Sequence, residues 1–280
     1  MSAARRRIWL CADDYGISPS VNRAIRDLIT RDRLNATSVM VNAPTFDRGE
    51  AVSLSMLNTG APRAAIGLHV TLTGPFRPRS AGFQPVADGK FPPLGQMLMR
   101  GLLRRYSHKA LAIEIASQIE AFVLAFGRTP DFIDGHQHVH LFPQVREALL
   151  EVVKATAPKA WVRQCGSVMP LHRRLRDPKA MLLDVLSRKF RARAAALGIA
   201  TNPAFAGTYD FGTAAAPDFA ALFPRFLEGL PAGSVLMCHP GFVDAELERL
   251  DPLTLQRERE YAYFAGEEFP AAMRAQNVGL

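Results

Sequence analysis

The sequence predicts an α/β fold in which about seven parallel strands form a (β/α) barrel. Strand-like apolar runs alternate with segments of helical periodicity along nearly the whole chain, an alternation typical of a parallel sheet. Polar and titratable residues follow at least five of the predicted strands. A barrel keeps its active site at the carboxyl ends of its strands, whereas an open sheet binds its ligand at one switch point between strands. Contributions from five strand ends therefore favour the barrel.

The predicted elements follow one another in chain order. Predicted strands cover residues 8–11, 36–43, 65–73, 161–165, 205–211 and 234–240, and segment 131–141 is predicted to be extended or turning. Predicted helices cover 19–32, 47–57, 94–106, 110–126, 177–197, 217–230 and 254–264, and a further helix begins at Pro143. The strands are short apolar runs, whereas the helices repeat apolar residues every three or four positions.

The chain is predicted to form a single domain over residues 1–280, with a long loop or insertion at about 74–107. Segment 74–93 is rich in proline and glycine, which predicts a loop, and loops of this length in compact domains are usually functional. A content of 48% apolar and 21% charged residues is ordinary for a globular protein. The chain stops at residues 277–280, so the sequence leaves open whether its end closes the barrel.

The cellular compartment is predicted from the cysteines and from the first residues. Three widely spaced cysteines without a CxxC pair argue against a disulfide framework or a zinc knuckle and favour a reducing compartment. The apolar run that follows the arginines at 5–7 is too short for a signal peptide. We therefore expect a cytoplasmic protein, and the sequence leaves a homodimer open.

Two adjacent acids, Asp13 and Asp14, end the first predicted strand. Neighbouring carboxylates repel, and both stay ionised in a half-buried site only with help, of which a cation is the simplest form. The alternative is a turn followed by a helix cap, where aspartate is also common. Since neighbouring side chains on a strand face opposite ways, both acids can reach one site only if the strand ends and the chain turns at Asp13.

Five of the seven histidines follow predicted strands: His69, His136, His138, His140 and His239. A single histidine at such a position is more often structural than ligating. Neutral imidazoles together with carboxylates, however, form the ligand set of a catalytic divalent ion.

The segment GHQHVH, residues 135–140, leaves its backbone conformation open. In an extended chain its three histidines face the same way, whereas in a helix only His136 and His140 meet. At about 6 to 7 Å per two residues of extended chain, the three imidazoles cannot all bind one ion. One ligand and two contacts to substrate or to a transferred proton is the expected division.

Five stretches together resemble the YdjC-like family of carbohydrate deacetylases, distant relatives of the polysaccharide deacetylases. The stretches are CADDYGIS, TSVMVN, IGLHVTLT, DFIDGHQHVHLFP and LMCHPGF, spread from residue 11 to residue 242. The resemblance implies a distorted (β/α) barrel that removes acetyl groups from N-acetylated amino sugars with a divalent metal ion, either Mg or one of Zn, Mn and Co.

Roles follow from that resemblance residue by residue. It implies metal ligation by Asp14, His69 and His136, with Asp13 as general base and His239 as general acid or as a partner of the acid. The other polar residues around the strand ends are expected to bind substrate: His138, His140, Arg163, Asn42 and Tyr15.

A finer resemblance, to the hopanoid-biosynthesis-associated branch of the family, rests on RRRIWLCADDYG, FAGTYDFG and basic tracts. It implies an N-acetylglucosamine unit on a hopanoid glycolipid as substrate, with a soluble N-acetylated oligosaccharide as the alternative. Segments 97–105 and 181–193 of the predicted helices 94–106 and 177–197 combine apolar residues with Arg and Lys, and the net charge is +8. Both favour peripheral contact with the anionic inner face of the membrane. The alternative is an outer barrel helix with a solvated basic face.

Two other classes of function remain as alternatives. One is a different metal-dependent hydrolase on the same barrel, either a phosphoesterase or a cyclic-amide hydrolase. The other is a non-enzymatic protein that binds anionic lipid or nucleic acid through its positive charge. Nucleic acid is not expected as a partner, because the basic residues fall in helices and are not interleaved with aromatics.

Overall fold

The computed structural model describes residues 5–61, 63–84, 86, 88–167, 178–209 and 218–280, with the side chains of 178–180 excepted. Its strands are β1 (Arg6–Arg7), β2 (Trp9–Tyr15), β3 (Ala36–Val39), β4 (Ala65–Val70), β5 (Phe132–Gly135), β6 (Trp161–Val162), β7 (Phe205–Ala206), β8 (Val235–Cys238) and β9 (Val278–Gly279). Its helices are α1 (Pro19–Thr30), α2 (Arg48–Met56), α3 (Leu94–Leu102), α4 (His108–Phe126), α5 (Val145–Thr156), α6 (Pro178–Ala196), α7 (Phe219–Leu227), α8 (Ala245–Leu250), α9 (Leu255–Ala265) and α10 (Glu268–Ala275), with a 3₁₀ helix at His136–Leu141.

Seven parallel strands form one sheet in the order β6-β5-β4-β3-β2-β8-β7. The sheet curls into a half-barrel, and its two edges meet through irregular chain: Val162 N donates to Ala200 O at 2.9 Å, and Phe205 N donates to Gly166 O at 3.1 Å. The predicted fold class is thus confirmed. The end of the chain takes another path, since β9 pairs with β1 outside the large sheet.

The strands of the seven-stranded sheet are buried on both faces, which explains their largely apolar character. Helix α1 illustrates how the outer layer forms. Ser18 caps it by accepting a hydrogen bond from Val21 N, and Pro19 occupies its first turn, where a missing N–H costs nothing. The apolar stripe that includes Ile25 and Leu28 is fully buried against the sheet.

The long loop that follows β4 is attached to α4 by two buried polar side chains. Glu114 accepts hydrogen bonds from Arg79 N at 3.2 Å and from Ser80 N at 2.7 Å. Gln118 forms two hydrogen bonds with the backbone of Thr71, at 2.9 and 2.8 Å. These contacts hold the loop at the carboxyl end of β4. The single-domain assignment with its insertion stays a prediction.

The first strand differs from its prediction at the acid pair. Strand β2 does not end at Asp13 but continues to Tyr15, with a register shift between Ala12 and Tyr15. Asp14 has a φ of 67°, and this left-handed residue forms a bulge. The prediction of a strand end at Asp13 was wrong, because a bulge also changes the direction in which side chains point without ending the strand.

Other elements also depart from prediction. Helices α8 and α10 and the strands β1 and β9 were not predicted, because they are only two to eight residues long. The predicted strand at 205–211 reduces to Phe205–Ala206, and residues 210–211 lie outside the described residues, as does residue 177 of the predicted helix 177–197. Within the described ranges, no helix is both long enough and apolar enough to span a membrane.

Candidate active site

Three strand-end residues, Asp14, His69 and His136, bring their ligand atoms within 4.8 Å of one another. Oδ1 of Asp14 lies 3.0 Å from Nδ1 of His136 and 3.3 Å from Nε2 of His69. Residues at the carboxyl ends of β2, β4 and β5 meet here because these parallel strands end at the same edge of the sheet. All three residues are buried.

The donor set fits a divalent cation. Nδ1 of His69 lies 2.6 Å from Oδ1 of Asp134, so it donates its proton there and leaves Nε2 facing Asp14. A carboxylate that orients a ligating imidazole in this way is typical of metal sites. A lone pair facing a carboxylate oxygen is unfavourable unless a proton or a metal ion lies between them.

The pKa values of the site show the same need for positive charge. Burial lowers the pKa of His69, but the carboxylates of Asp134 and Asp13 outweigh burial and raise this pKa to about 10. Burial would raise the pKa of Asp14, but Arg257 and His136 hold it well below its usual range. A bound metal ion would replace the proton on His69.

Asp13 lies beside this cluster but is held by different partners. Arg163 donates two hydrogen bonds to it, from Nη1 to Oδ2 at 2.6 Å and from Nη2 to Oδ1 at 2.7 Å. Ser38 Oγ also donates to Oδ1 at 3.1 Å. Although burial would raise the pKa of Asp13, Arg163 and His69 hold it below its usual range, so this acid stays ionised at neutral pH.

Arg163 was expected to bind substrate, but the structure places it behind the acids with 1% of its surface exposed. Its Nη2 also forms an ion pair of 2.5 Å with Oδ2 of Asp134. Two carboxylates occupy the guanidinium, so a supporting function replaces the expected contact with substrate. Asp134, which links Arg163 to His69, was not among the predicted site residues.

Arg257 was missed by sequence reasoning altogether. It lies in the first turn of α9, is fully buried, and donates from Nη2 to Oδ2 of Asp14 at 2.6 Å and to Asp251 at 2.9 Å. Together, Arg163 and Arg257 give each acid of the pair its own cation. The two guanidinium groups therefore offset the repulsion between Asp13 and Asp14, an arrangement that the sequence did not indicate.

His239, which follows β8, lies next to both acids because β8 pairs with β2. Its backbone N–H donates to Oε2 of Glu260 at 2.5 Å, and Tyr209 donates its hydroxyl proton to Oε1 of the same carboxylate at 2.5 Å. Burial lowers the pKa of His239 against the opposing effect of Asp14, so the imidazole is neutral at rest.

His138 and His140 lie on a 3₁₀ turn and are not part of the metal-ligand cluster. Gln137 and His138 have left-handed φ values of 54° and 59°, so the extended alternative for this segment was wrong. His140 is fully buried, with its Nε2 2.9 Å from Arg163 O. Nδ1 of His138 lies 3.5 Å from Sγ of Cys165, and burial lowers its pKa to about 3. Of the three histidines, only His136 joins the metal-ligand cluster.

Tyr15 is not brought to the site. It is fully buried, and its hydroxyl donates to Glu50 at 2.7 Å and accepts from Arg26 at 2.8 Å. Because both partners lie on outer helices, the expected contact between Tyr15 and substrate was wrong.

Asn42 faces a different region, a cleft of about 550 Å³ that it shares with the long loop and α4. Its Nδ2 donates to Arg77 O at 2.8 Å. The same loop reaches the metal-ligand cluster through Phe76, whose ring meets His136 edge-on at 5.6 Å. Asn42 therefore remains compatible with a contact to substrate at the edge of the site.

Comparisons with known proteins place these features in a family. The model of the family described as YdjC-like protein matches residues 7–275. A carbohydrate deacetylase of Geobacillus stearothermophilus is 27% identical over 281 residues, covering 96% of this chain and 93% of the relative. A chitooligosaccharide deacetylase of Serratia marcescens is 28% identical over 237 residues, covering 84% and 82%. A chitooligosaccharide deacetylase of Escherichia fergusonii is 33% identical, and that match spans only 50% of this chain and 52% of the relative.

The fold comparison agrees with the family match. A crystal structure from Enterococcus faecalis, of a candidate cellobiose-phosphate cleavage protein, superposes with a TM-score of 0.75 at 20% identity, covering 99% of this chain and 97% of that one. A lactam utilization protein from Thermus thermophilus superposes with a TM-score of 0.51 at 15% identity, covering 98% of each chain. With the family model matching nearly the whole length, this chain belongs to the YdjC-like family.

Proposed function

We propose that this protein is a metal-dependent carbohydrate deacetylase that hydrolyses the N-acetyl group of an amino sugar to acetate and a free amine. The observation that carries the proposal is the triangle of Asp14, His69 and His136 beside a second, ionised carboxylate, Asp13. The names of the relatives, carbohydrate deacetylase and chitooligosaccharide deacetylase, support the same chemistry.

Asp14, His69 and His136 would hold the metal ion. When bound, such an ion acts as a Lewis acid that lowers the pKa of a water molecule and polarises a carbonyl oxygen. Asp134 supports this ligand set, because it fixes the His69 ring in the orientation that leaves Nε2 free to bind.

Asp13 would accept the proton of the attacking water at Oδ2. Oδ1 already accepts hydrogen bonds from Arg163 and Ser38, whereas Oδ2 has Arg163 as its one hydrogen-bond donor within the described ranges. A carboxylate oxygen has room for a second hydrogen bond. Asp13 is therefore held in one orientation with one lone pair available.

His239 would deliver a proton to the leaving amine nitrogen. It is neutral at rest, so it can take up a proton during turnover and release it to the amine. Its position is fixed by its backbone hydrogen bond to Glu260, and proton transfer by a positioned side chain typically contributes 10²- to 10⁴-fold in rate.

The test is acetate release by the protein stripped of metal and then supplied separately with Mg, Mn, Zn or Co. We expect the stripped protein to be inactive toward N-acetylated chitobiose and at least one metal to restore acetate release. Acetate release that a chelator leaves unchanged would contradict the proposal. Phosphate release from phosphoesters, or ring opening of cyclic amides, in the absence of acetate release would instead favour another hydrolase on this barrel.

For the natural substrate, we propose a glycolipid that carries N-acetylglucosamine, such as a hopanoid. The end of helix α3 supports an apolar aglycone, because Met99, Leu102 and the next residue, Leu103, are 57%, 52% and 54% exposed. The neighbouring residues Arg100, Arg104 and Arg105 would suit an anionic membrane surface.

Helix α3 packs against the segment that follows the 3₁₀ helix, since a Cβ at Gly101 would lie 2.7 Å from Pro143 O. Acetate release from glycolipid and from chitobiose should be measured in parallel, together with sedimentation on anionic liposomes at low and high salt. Equal rates on both substrates and no binding at low salt would contradict the glycolipid proposal.

A further inference from the structure

The two oxygens of Asp14 have different surroundings. Oδ1 lies 3.0 Å from Nδ1 of His136 and 3.3 Å from Nε2 of His69. Oδ2 points the other way and accepts a hydrogen bond of 2.6 Å from Nη2 of Arg257. A carboxylate can bind a divalent ion through one oxygen or through both. Which mode Asp14 uses therefore depends on whether Oδ2 is available.

We propose that Arg257 is a positioning residue whose charge, placed 2.6 Å from Oδ2 of Asp14, keeps a divalent ion on the Oδ1 side of this ligand. The inference rests on the proposed metal-dependent function. With the ion kept away from Oδ2, the position that a second carboxylate oxygen would take would be left for water or for the acetyl carbonyl.

The position of the guanidinium is fixed by contacts on three sides. Its Nη2 also donates to Asp251 at 2.9 Å, and its Nε donates to Leu253 O at 3.0 Å. The backbone of the same residue is held too, because Gly241 N donates to Arg257 O at 3.0 Å. Arg257 is thus held in place by contacts other than Asp14. A residue that fixes the orientation of its partner needs such independent contacts.

Helix α9 connects the two sides of the reaction centre. Glu260, one turn after Arg257, accepts the backbone hydrogen bond of His239, so one helix face fixes both the proposed acid and a metal ligand. The helix packs closely against the loop that follows β8, since a Cβ at Gly241 would lie 3.4 Å from the Arg257 side chain.

A buried cation beside a metal ligand has a cost that needs an explanation. Like charges repel strongly in a buried site, so Arg257 weakens the binding of a divalent ion to Asp14. This repulsion is strongest at Oδ2, the oxygen that the guanidinium contacts, so it favours binding of the ion through Oδ1.

The experiment compares Arg257→Met and Arg257→Lys with the unaltered chain. Zinc affinity is measured by competition with a chromophoric chelator, the cobalt-substituted protein is examined by visible absorption without substrate, and acetate release is assayed separately. Because a buried like charge is removed, we expect Arg257→Met to bind zinc about tenfold more tightly. Because Asp14 loses the partner that orients it, the variant should release acetate about 100-fold more slowly. Its cobalt spectrum should weaken in intensity as the coordination number rises. Arg257→Lys should keep the original affinity and spectrum and recover part of the rate.

Arg249→Met serves as the matched control, because Arg249 lies on the adjacent helix α8, is exposed, and pairs with Glu246. It should match the unaltered chain in all three measurements. If Arg257→Met does not fold, as judged by circular dichroism, Arg257→Gln carries the test with the same expectation.

Two results would overturn the inference. Zinc affinity that falls in Arg257→Met would mean that the arginine merely holds Asp14 in place, and an unchanged cobalt spectrum would mean that the binding mode does not depend on it. In either case, metal-dependent acetate release by the unaltered chain would leave the proposed function standing. An unaltered chain that binds neither zinc nor cobalt would overturn both.

Discussion

The two acids of the pair are neighbours in sequence, and both are buried opposite an arginine, yet they are held in opposite ways. Arg163 grips both oxygens of Asp13, whereas Arg257 takes one oxygen of Asp14 and leaves the other to two histidines. The difference shows how two identical side chains acquire different chemistry. The number and placement of their hydrogen-bond donors decide which atoms remain available for a proton or for a metal ion.

The largest expected effects come from replacing the acids themselves. Asp13→Asn should lower turnover by roughly 10²- to 10⁴-fold, the usual loss for a general base, and should retain the metal ion. Asp14→Asn should lose the metal and all metal-dependent acetate release. Metal content by atomic absorption and acetate release distinguish the two variants, and the reverse pattern would show that the two functions are exchanged.

The next effect concerns the arginine behind Asp13. Arg163→Met should lower the free energy of unfolding by roughly 3–5 kcal/mol, because it leaves Asp13 and Asp134 buried without their cation. It should also slow turnover, because Asp13 loses its fixed orientation. Urea unfolding measures the first effect. A loss below about 1 kcal/mol, the range of exposed ion pairs, would mean that the carboxylates find water or another partner.

A smaller effect concerns the pH dependence of the free energy of unfolding. It should arise from Glu260, which lies on α9, the helix that also carries Arg257. Burial raises the pKa of Glu260 to about 7 from 4.5, so the folded state binds an extra proton between these values. The resulting stabilisation is complete below pH 4.5 and is lost as pH rises through 7, a change of roughly 3 kcal/mol. Glu260→Gln should remove this part of the pH dependence.

The measurement is the free energy of unfolding of both proteins at pH 5 and pH 8. Their difference isolates Glu260 from the other titrating groups. If the Gln variant loses as much stability between the two pH values as the original chain does, Glu260 does not titrate in this range.

The smallest effect is expected at Tyr15, which directly follows the acids but faces outer helices. Tyr15→Phe should cost about 1 kcal/mol of stability, the usual value of a lost hydrogen bond, and should leave kcat and KM unchanged. Thermal unfolding and steady-state kinetics test this together. A raised KM would restore Tyr15 as a residue that contacts substrate.

The sequence predicted the seven-stranded parallel architecture because that signal is distributed over many residues. Each buried strand needs its own apolar run, and each helix needs its own stripe of apolar residues. An error in the predicted boundary of one element therefore does not change the predicted fold class. Strands β6 and β7, with two residues each, fell short of their predicted lengths because hydrogen bonds between irregular segments replace regular pairing there.

The site was predictable where its residues form local patterns. Asp13, Asp14, His69 and His136 all lie in short motifs at strand ends, and the structure brings them together. Arg163 was predicted as a site residue, but its ion pair with Asp13 was not predicted. The two residues are 150 positions apart in the sequence, and no local pattern connects them. Arg257 carried no signal, since an arginine near the start of a polar helix is indistinguishable in sequence from a solvated one.

The left-handed backbone at Asp14, with its φ of 67°, limits which amino acids can occupy this position. Asp, Asn and Gly tolerate this region, whereas longer and β-branched side chains rarely adopt it. A glutamate would keep the charge but would have to adopt a conformation that costs roughly 1–2 kcal/mol. The backbone thus selects the shorter acid before any ion binds. Asparagine is therefore the substitution that changes the chemistry of Asp14 while preserving its geometry.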